Sequence, residues 1–396
     1  MTIRLAILTT HPVQYYAPVF RELAARPGVE IQIFYGWKGA VDSTLDRGFG
    51  QAFAWDVPLL EDYSFEFLEN VSADPGTHHA GGIDCPQVVE RIQAWRPDAL
   101  LVYGWNYRSH QQALRAFHGR LPILFRGDST LLDERPGWRQ WARRLYLRWV
   151  YLNIDMALAV GTANCAYFEA HGLPQSRIRH VPHSVDDTFF DDPDGHHTEA
   201  ASQWREILGI PGDAPVILFA GKLESKKAPD LLLKAFQALG HPTAHLVFGG
   251  TGPLETELKR EAPARVHFVG FQNQSRMPVL YRLGDLLVLP SRGPGETWGL
   301  ALNEAMACGR AVIASDKTGA ALDLIQPDRN GFVFPSGNHT ALTAVLQESL
   351  VDPARLREMG RQSLQIIRDW SIPEQVDVMV AALREALRGA WRRPSA

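Results

Sequence analysis

"DLLVLPSRGPGETWGLALNEAMACGRAVIAS", residues 285–315, decides the fold. It opens on a short run of large apolar residues, turns through proline and glycine, continues in small and apolar residues, and closes on a β-rich run. Strand, helix and strand in that order make two neighbouring strands parallel, because a crossover helix returns the chain to the edge it left. The same stretch raises a chemical question. Glu296 and Glu304 stand in otherwise small or apolar surroundings, and burying an ionised carboxylate is costly unless something pairs with it.

The alternation extends through most of the chain. "IRLAILTT", "EIQIFYG", "ALLVYGW", "PILFRGD", "MALAVG" and "IRHVP" read as strands in the first half, with helical stretches such as "YAPVFRELAAR" and "CPQVVERIQAW" between them. In the second half "PVILFAG", "HLVFGG", "VHFVG", "DLLVLPS" and "AVIASD" are separated by "APDLLLKAFQAL", "GPLETELKREA", "MPVLYRLG" and "GLALNEAMA". Such alternation predicts an α/β protein of parallel sheets covered by helices on both faces. At 396 residues the chain exceeds one core, so two doubly wound, Rossmann-like domains facing a cleft are expected. The boundary falls in "HSVDDTFFDDPDGHHTEAAS", residues 183–202, where acidic and turn-forming residues cluster without a visible apolar period. This gives an N-terminal domain over 1–185, a C-terminal domain over 200–370, and a C-terminal helix over 371–396 that crosses back to the first domain and ends in a Trp/Arg-rich tail.

The bulk numbers narrow the class. A net charge of −4 gives no general attraction to nucleic acid, and none is expected as a partner. Cys85, Cys165 and Cys308 lack metal-site or disulfide spacing, which points to a reducing cytoplasm. The apolar run before His11 and Pro12 is too short for a secretory leader, and no segment reaches membrane-spanning length. The expected localisation is cytoplasmic, at most peripheral at the inner face of the membrane.

If residues 297–307 form one helix, Glu296 and Glu304 lie roughly 12 Å apart at 1.5 Å per residue, beyond the ~5–9.5 Å that lets two carboxyl groups share one scissile bond. They could instead grip two ends of an extended ligand, with the N–H groups of Thr297, Trp298 and Gly299 facing an anion between them. In "FAGKLESKKAPDLLLKAF", residues 219–236, a strand ends at Gly221 and Lys222 and Lys227 follow, at the strand end where phosphates bind in such sheets. A buried helix with solvated lysines is the plain alternative.

These segments resemble the family 4 retaining glycosyltransferases of the GT-B architecture. "GKLESKKAPDLLLKAF" is similar to that family's glycine, basic residue and six-step lysine pattern, and "ETWGLALNE" to its E-x7-E carboxylate motif. "VHFVGFQNQSRMPVLYRLGDLLVLPS" and "NGFVFPSGN" fall where the family has its base-binding loop and next turn. The resemblance covers nearly all of residues 215–390. It implies that Lys222 and Lys227 neutralise the diphosphate of a nucleotide-sugar donor, UDP- or GDP-linked. It further implies that Glu304 holds the ribose, that Glu296 holds the transferred sugar, and that the backbone near Trp298, Gly299 and Leu300 meets the phosphate. Phe271 would edge the base. Ala228 departs from the pattern, which has glycine there. The glycines of "GGTGP", 249–253, read as a turn.

The first half matches less closely. The loop "TTHPVQYYAPVF" offers His11, Gln14, Tyr15 and Tyr16 for an acceptor sugar, the alternative being a helix entry with inward-packed tyrosines. "ILFRGDSTLL" offers Arg126 and Asp128 at a second strand end, or a salt bridge between the two. Asp128, Arg126 or His11 would contact the reacting sugar. In "PGWRQWARRLYLRWVYL", 136–152, Trp138, Trp141, Leu145, Trp149 and Leu152 share one helical stripe and four arginines lie outside it. Residues 138–149 thus suit an anionic membrane or a lipid-linked acceptor, unless the stripe docks on its own sheet.

The expected function is retaining transfer of a sugar from a nucleotide-sugar to a saccharide, lipid-linked or small-molecule acceptor, in surface polysaccharide or glycoconjugate synthesis. Two lysines in place of an Asp-x-Asp motif imply no metal and no cofactor. The rivals are a sugar-nucleotide epimerase or hydrolase, a phosphorylase-like enzyme with pyridoxal phosphate on a lysine, and a non-catalytic nucleotide-sugar-binding partner.

Overall fold

A computed structural model describes residues 2–39, 41, 44–46, 51–134 and 136–389. Its strands are β1 (Ile3–Thr9), β2 (Val29–Tyr35), β3 (Thr44–Asp46), β4 (Gln51–Phe53), β5 (Phe65–Phe67), β6 (Ala99–Tyr103), β7 (Ile123–Gly127), β8 (Met156–Ala159), β9 (Ile178–His180), β10 (Val216–Ala220), β11 (His245–Gly249), β12 (Val266–Gly270), β13 (Leu286–Leu289), β14 (Ala311–Ser315) and β15 (Gly331–Phe334). They form a seven-stranded sheet in the order β5-β2-β1-β6-β7-β8-β9 and a six-stranded sheet in the order β12-β11-β10-β13-β14-β15. β3 and β4 make a separate pair. Neighbours in both large sheets run parallel, as in Ile3↔Val29 and Leu5↔Ala99, or Val216↔His245 and Ile217↔Leu286.

The chain divides into two compact units, one of Met1–Thr44, Phe53–His183 and Ile372–Ala396, the other of Leu45–Ala52 and Ser184–Ser371. In the first, central strands such as β6 are buried along their whole length, as continuous apolar runs must be when helices cover both faces. One face packs Val19, Phe20 and Leu23 of the helix Ala17–Ala25 against Val376, Met379 and Leu383 of the helix Ile372–Leu387. Arg26 pairs with Asp377 at 3.0 Å, and Arg179 makes a two-pronged pair with Glu385. The other face packs Val88, Leu114, Phe125, Leu147, Tyr151 and Phe168. In the second unit Phe219, Leu232, Phe236, Phe248, Val288 and Ile313 share one core.

Several expectations need correction. "NGFVFPSGN" contains β15, a strand too short to announce itself, which pairs with β14 as Val312↔Gly331. β5 was not legible either. The stretch 183–202 holds the helix Asp187–Phe190 and the start of a second, His196–Ile207. Its acidic residues cap them: Asp186 accepts from the N–H of Phe189, and Asp192 accepts from those of His197 and Thr198. The end of the Trp/Arg-rich tail, 390–396, lies outside the described residues.

Candidate functional site

In the second unit the carboxyl ends of β10, β11, β13 and β14 carry four loops that brace one another. β10 ends at Ala220, and Gly221 takes φ +152° before Lys222. A methyl group on Gly250 would stand 1.9 Å from the Gly221 carbonyl oxygen, and one on Gly252 would stand 2.6 Å from that of Leu223. The glycines of "GGTGP" are therefore more than a turn: they let the loop after β11 lie against the backbone that presents Lys222. Lys227 ends a short 3-10 turn, Ser225–Lys227, and Ala228 follows in the left-handed region at φ +53°. The departure from glycine at this position changes the residue and keeps the conformation.

The helix holding Glu304 runs Ala301–Ala307, four residues later than expected. Gly299 at φ +100° breaks any helix there, and the carbonyls of Glu296 and Trp298 accept from Gly319 and Ala320 of the loop after β14. Thr297, Trp298 and Gly299 are thus a loop and not a first helical turn, so their N–H groups are not aligned by a helix axis. Leu300 is the residue before the helix, and its carbonyl accepts from Glu304 N–H. Trp298 is buried, donates to Asn303 at 2.9 Å and packs on Trp370.

Both carboxylates are buried, Glu296 to 7% exposure and Glu304 to 2%. Glu296 Oε2 pairs with Lys227 Nζ at 2.5 Å and accepts from Ser291 Oγ at 2.9 Å. Glu304 accepts from the Tyr281 hydroxyl at 2.5 Å and from Gln274 Nε2 at 3.4 Å. Tyr281 and Gln274 were not picked out from the sequence. A polar residue three positions past Phe271 was the available signal for Gln274. Arg292, also overlooked, donates its backbone N–H to the Lys226 carbonyl and pairs with Asp230 at 2.8 Å, tying the loop after β13 to the loop with the lysines. Phe271 follows β12 directly. The structure therefore gathers Gly221, Lys222, Lys227, Glu296 and Glu304 on loops and one helix at a single edge of this sheet.

In the first unit β1, β6 and β7 are neighbours, and their carboxyl ends bring His11, Tyr16 and Asp128 together. His11 Nδ1 lies 2.9 Å from Thr10 Oγ1, its ring meets Trp37, and burial lowers its pKa to about 4. It is a neutral imidazole at pH 7. Gln14 and Tyr15 belong to the turn before the helix, half-buried. Tyr16 packs its ring 4.8 Å from that of Tyr103, and burial, with Asp128 nearby, holds its hydroxyl protonated. Arg126 is buried and donates to the carbonyls of Val181 and Pro182 at 3.0 and 2.9 Å, which ties its guanidinium to the backbone after β9. Beside it stands His183, overlooked in the sequence, whose pKa burial and the Arg126 charge lower to about 3. A histidine shortly after β9 was its signal. Asp128 is exposed and lines a cavity of about 470 Å3 with Trp105, Tyr107, Ser129 and Arg143.

Among the described residues one trio could hold a metal ion, the exposed Asp74, His78 and His79 of the first unit. The Gly81 N–H donates to His79 Nδ1, and His79 Nε2 lies 3.0 Å from the Asp74 carbonyl oxygen.

Two parallel sheets, with basic and acidic side chains gathered at the carboxyl edge of the second, define an α/β protein of the doubly wound type. Residues 201–365 match the family described as glycosyl transferases group 1. The chain is 30% identical over 234 residues to a D-inositol 3-phosphate glycosyltransferase of Xylanimonas cellulosilytica, covering 57% of this chain and 54% of that protein. It is 29% identical over 260 residues to a GDP-mannose-dependent alpha-(1-6)-phosphatidylinositol monomannoside mannosyltransferase of Mycolicibacterium smegmatis, covering 62% and 65%. The chain thus spans about half to two thirds of the length of these relatives. Its fold is shared with Anabaena Alr3699/HepE, solved in complex with UDP (TM-score 0.72, 18% identity, 97% of this chain and 100% of that one). It is shared equally with sucrose-phosphate synthase of Thermosynechococcus elongatus (TM-score 0.73, 18% identity, 98% and 100%).

Proposed function

We propose that the chain is a retaining glycosyltransferase, with the donor held by the second unit and the acceptor by the first. The observation that carries this reading is the pairing of half-buried Lys227 with buried Glu296, on the loop that also carries Lys222, at the sheet edge of a segment that matches the family. The acceptor hydroxyl oxygen bonds to the anomeric carbon as the bond from that carbon to the diphosphate oxygen breaks. The electron pair leaves with the diphosphate, which also takes the hydroxyl proton. Lys222 and Lys227 stabilise the charge that grows there, and removal of one such stabilising group in other enzymes costs about 3–4 kcal/mol. Glu296 orients Lys227 and meets the transferred sugar, while Glu304, held by Tyr281 and Gln274, accepts from the ribose. Gly221, Phe271, Thr297, Trp298, Gly299 and Leu300 complete the donor site.

With two lysines to neutralise the diphosphate, the reaction proceeds without a metal. The donor is a UDP- or GDP-sugar, in line with the UDP in the Anabaena structure and the GDP-mannose in the mannosyltransferase's name. His11 and Asp128 face the reacting sugar, with Gln14 and Tyr15 beside them. Among the described residues no helix is long and apolar enough to cross a membrane, and we place the enzyme in the cytoplasm, resting on the membrane through residues 138–149.

Thermal shifts against UDP-glucose and GDP-mannose test the donor site, since a ligand at 100 times its Kd adds about 2.7 kcal/mol. A shift lost in Lys222→Ala supports the reading. Donor consumed without acceptor would favour a hydrolase or epimerase, and no shift with any nucleotide-sugar would overturn it.

A further inference from the structure

The amino edge of the second sheet holds a cavity that donor binding does not explain. Pro215, Asp285 and Arg310 stand immediately before the neighbouring strands β10, β13 and β14, and all three line a cavity of about 490 Å3. The five residues of β10, roughly 17 Å of strand, separate it from Lys222 at the opposite edge. Its other walls come from the helix His196–Ile207 through Arg205, and from the helix Pro353–Ile367 through Leu356, Arg357 and Arg361.

Four arginines and two aspartates line this space, and their pairing leaves positive charge over. Arg205 pairs with Asp285 at 3.0 Å, and the other Asp285 oxygen accepts from the Val216 N–H at 2.8 Å. Arg361 pairs with Glu358 in an exposed bridge, which holds it only weakly. Arg310 is half-buried, and burial pushes its guanidinium below the ordinary arginine range. It nevertheless donates only to carbonyls, Nε to Cys308 at 2.8 Å and Nη1 to Gly284 at 3.3 Å. Arg357 makes no hydrogen bond or ion pair among the described residues.

A half-buried cation without a counter-charge is costly, and an anion bound beside it offsets that cost. Two guanidinium groups on one cavity suit a phosphate, whose oxygens each planar fork meets in pairs. Asp213 is exposed at the rim and is likewise unpaired among the described residues, so it offers an acceptor to a hydroxyl group. The volume lies within the range that takes a small organic ligand. Arg310 also closes the helix Ala301–Ala307, its backbone N–H donating to Ala305 and its Nε to Cys308, so a ligand here lies behind the helix that carries Glu304.

We propose that this cavity binds a small phosphate monoester bearing a free hydroxyl group, at a site separate from those of the sugar donor and the acceptor. Arg310 and Arg357 hold the phosphate, Arg361 adds charge at the mouth, and Asp213 accepts from the hydroxyl. The assignment stands whether or not the chain transfers sugar.

Calorimetric titration of the full chain with glycerol 3-phosphate, inorganic phosphate and glycerol tests it. Glycerol 3-phosphate should bind at a single site and more tightly than inorganic phosphate, and glycerol should not bind. Arg357→Ala removes an exposed side chain, so it should fold normally and weaken glycerol 3-phosphate by about tenfold or more. Arg357→Lys, which keeps the charge and loses the fork, should fall between. Asp213→Asn should bring glycerol 3-phosphate and inorganic phosphate to equal affinity, and Lys222→Ala should change neither. Phenylglyoxal labelling with peptide mapping locates the ligand. Glycerol 3-phosphate should protect Arg357 and leave unchanged the labelling of Arg355, which pairs with Asp328 and Glu348 and does not line the cavity. Absence of binding, an Arg357→Ala variant that binds as tightly as the parent, or labelling of Arg357 unaffected by the ester would each overturn the proposal. Binding lost in Lys222→Ala but kept in Arg357→Ala would place the phosphate at the carboxyl edge and overturn it equally.

Discussion

Lys227 and Glu296 form a unit in which each satisfies the other, so their single variants should not behave like independent deletions. Lys227→Ala leaves the buried Glu296 carboxylate with the Ser291 hydroxyl but without its cation, and loss of a partner to a buried group costs on the order of 1–3 kcal/mol. Denaturant unfolding should show that loss, together with a fall in kcat of about a hundredfold or more. Lys227→Met combined with Glu296→Gln should recover most of the stability and none of the rate. A double variant no more stable than Lys227→Ala would mean that the pair is not the structural unit described. Glu304 should respond differently, because bonds to a ribose are made equally in ground and transition states and affect KM in preference to kcat. Glu304→Gln should raise the donor KM, and Tyr281→Phe should do so more mildly by freeing the carboxylate it holds. A kcat loss exceeding the KM change in Tyr281→Phe would contradict that division.

Elements make this site through two backbone positions. Ala228 sits at φ +53° with its methyl group buried in the core of the second unit. An L-residue in the left-handed region costs about 1–2 kcal/mol, against which Ala gains roughly 0.8 kcal/mol from a buried methyl and loses less chain entropy than Gly. Ala228→Gly should therefore shift stability by less than about 1 kcal/mol. Ala228→Val, branched at a position of positive φ, should lower it by about 2 kcal/mol or more, as chemical denaturation would show. The helix Ile372–Leu387 is a second test at this scale. Leu383→Ala removes a side chain packed under the first sheet and should cost about 2–5 kcal/mol. Tm changes smaller than those of surface controls would place that helix outside the core. The strands with long apolar runs, β1, β6, β10 and β14, were readable because burial on both faces writes itself as uninterrupted hydrophobicity. β5 and β15 were not, since a three- or four-residue strand at a sheet edge is specified mainly by its neighbour's backbone. The start of the helix at Ala301 escaped sequence reading for a related reason. Gly299 is compatible with helix or loop, and the choice comes from carbonyls captured by the loop after β14.

Across the molecule, three histidines, the buried His110 and His183 and the half-buried His11, should set the acid limit of stability. Burial lowers the pKa of His11 to about 4, of His110 to about 3 and of His183, with help from Arg126, to about 3. In the unfolded chain each titrates near 6.5, so below that pH the unfolded state binds more protons than the folded one. Stability should be level above pH 7 and fall as the pH drops from 6.5 towards 4, by up to roughly 1.4 kcal/mol per pH unit for each histidine. Neither ring nitrogen of His110 has a hydrogen-bond partner among the described residues. His110→Leu should accordingly raise Tm at neutral pH and flatten the acid limb, and an unchanged slope would remove His110 from the account. By itself the sequence determined the two parallel sheets, the order of their long apolar strands along the chain, and the lysine and glutamate types at one sheet edge. Periodicity and local turn chemistry depend on near neighbours alone. Only the tertiary structure decided that Lys227 and Glu296 bind each other, that Tyr281 holds Glu304, that the Arg126 guanidinium is tied to the backbone after β9, and that the tryptophans of residues 138–149 face outward. Those outcomes turn on which groups from distant segments meet in space, and on which face of a helix its own sheet leaves uncovered.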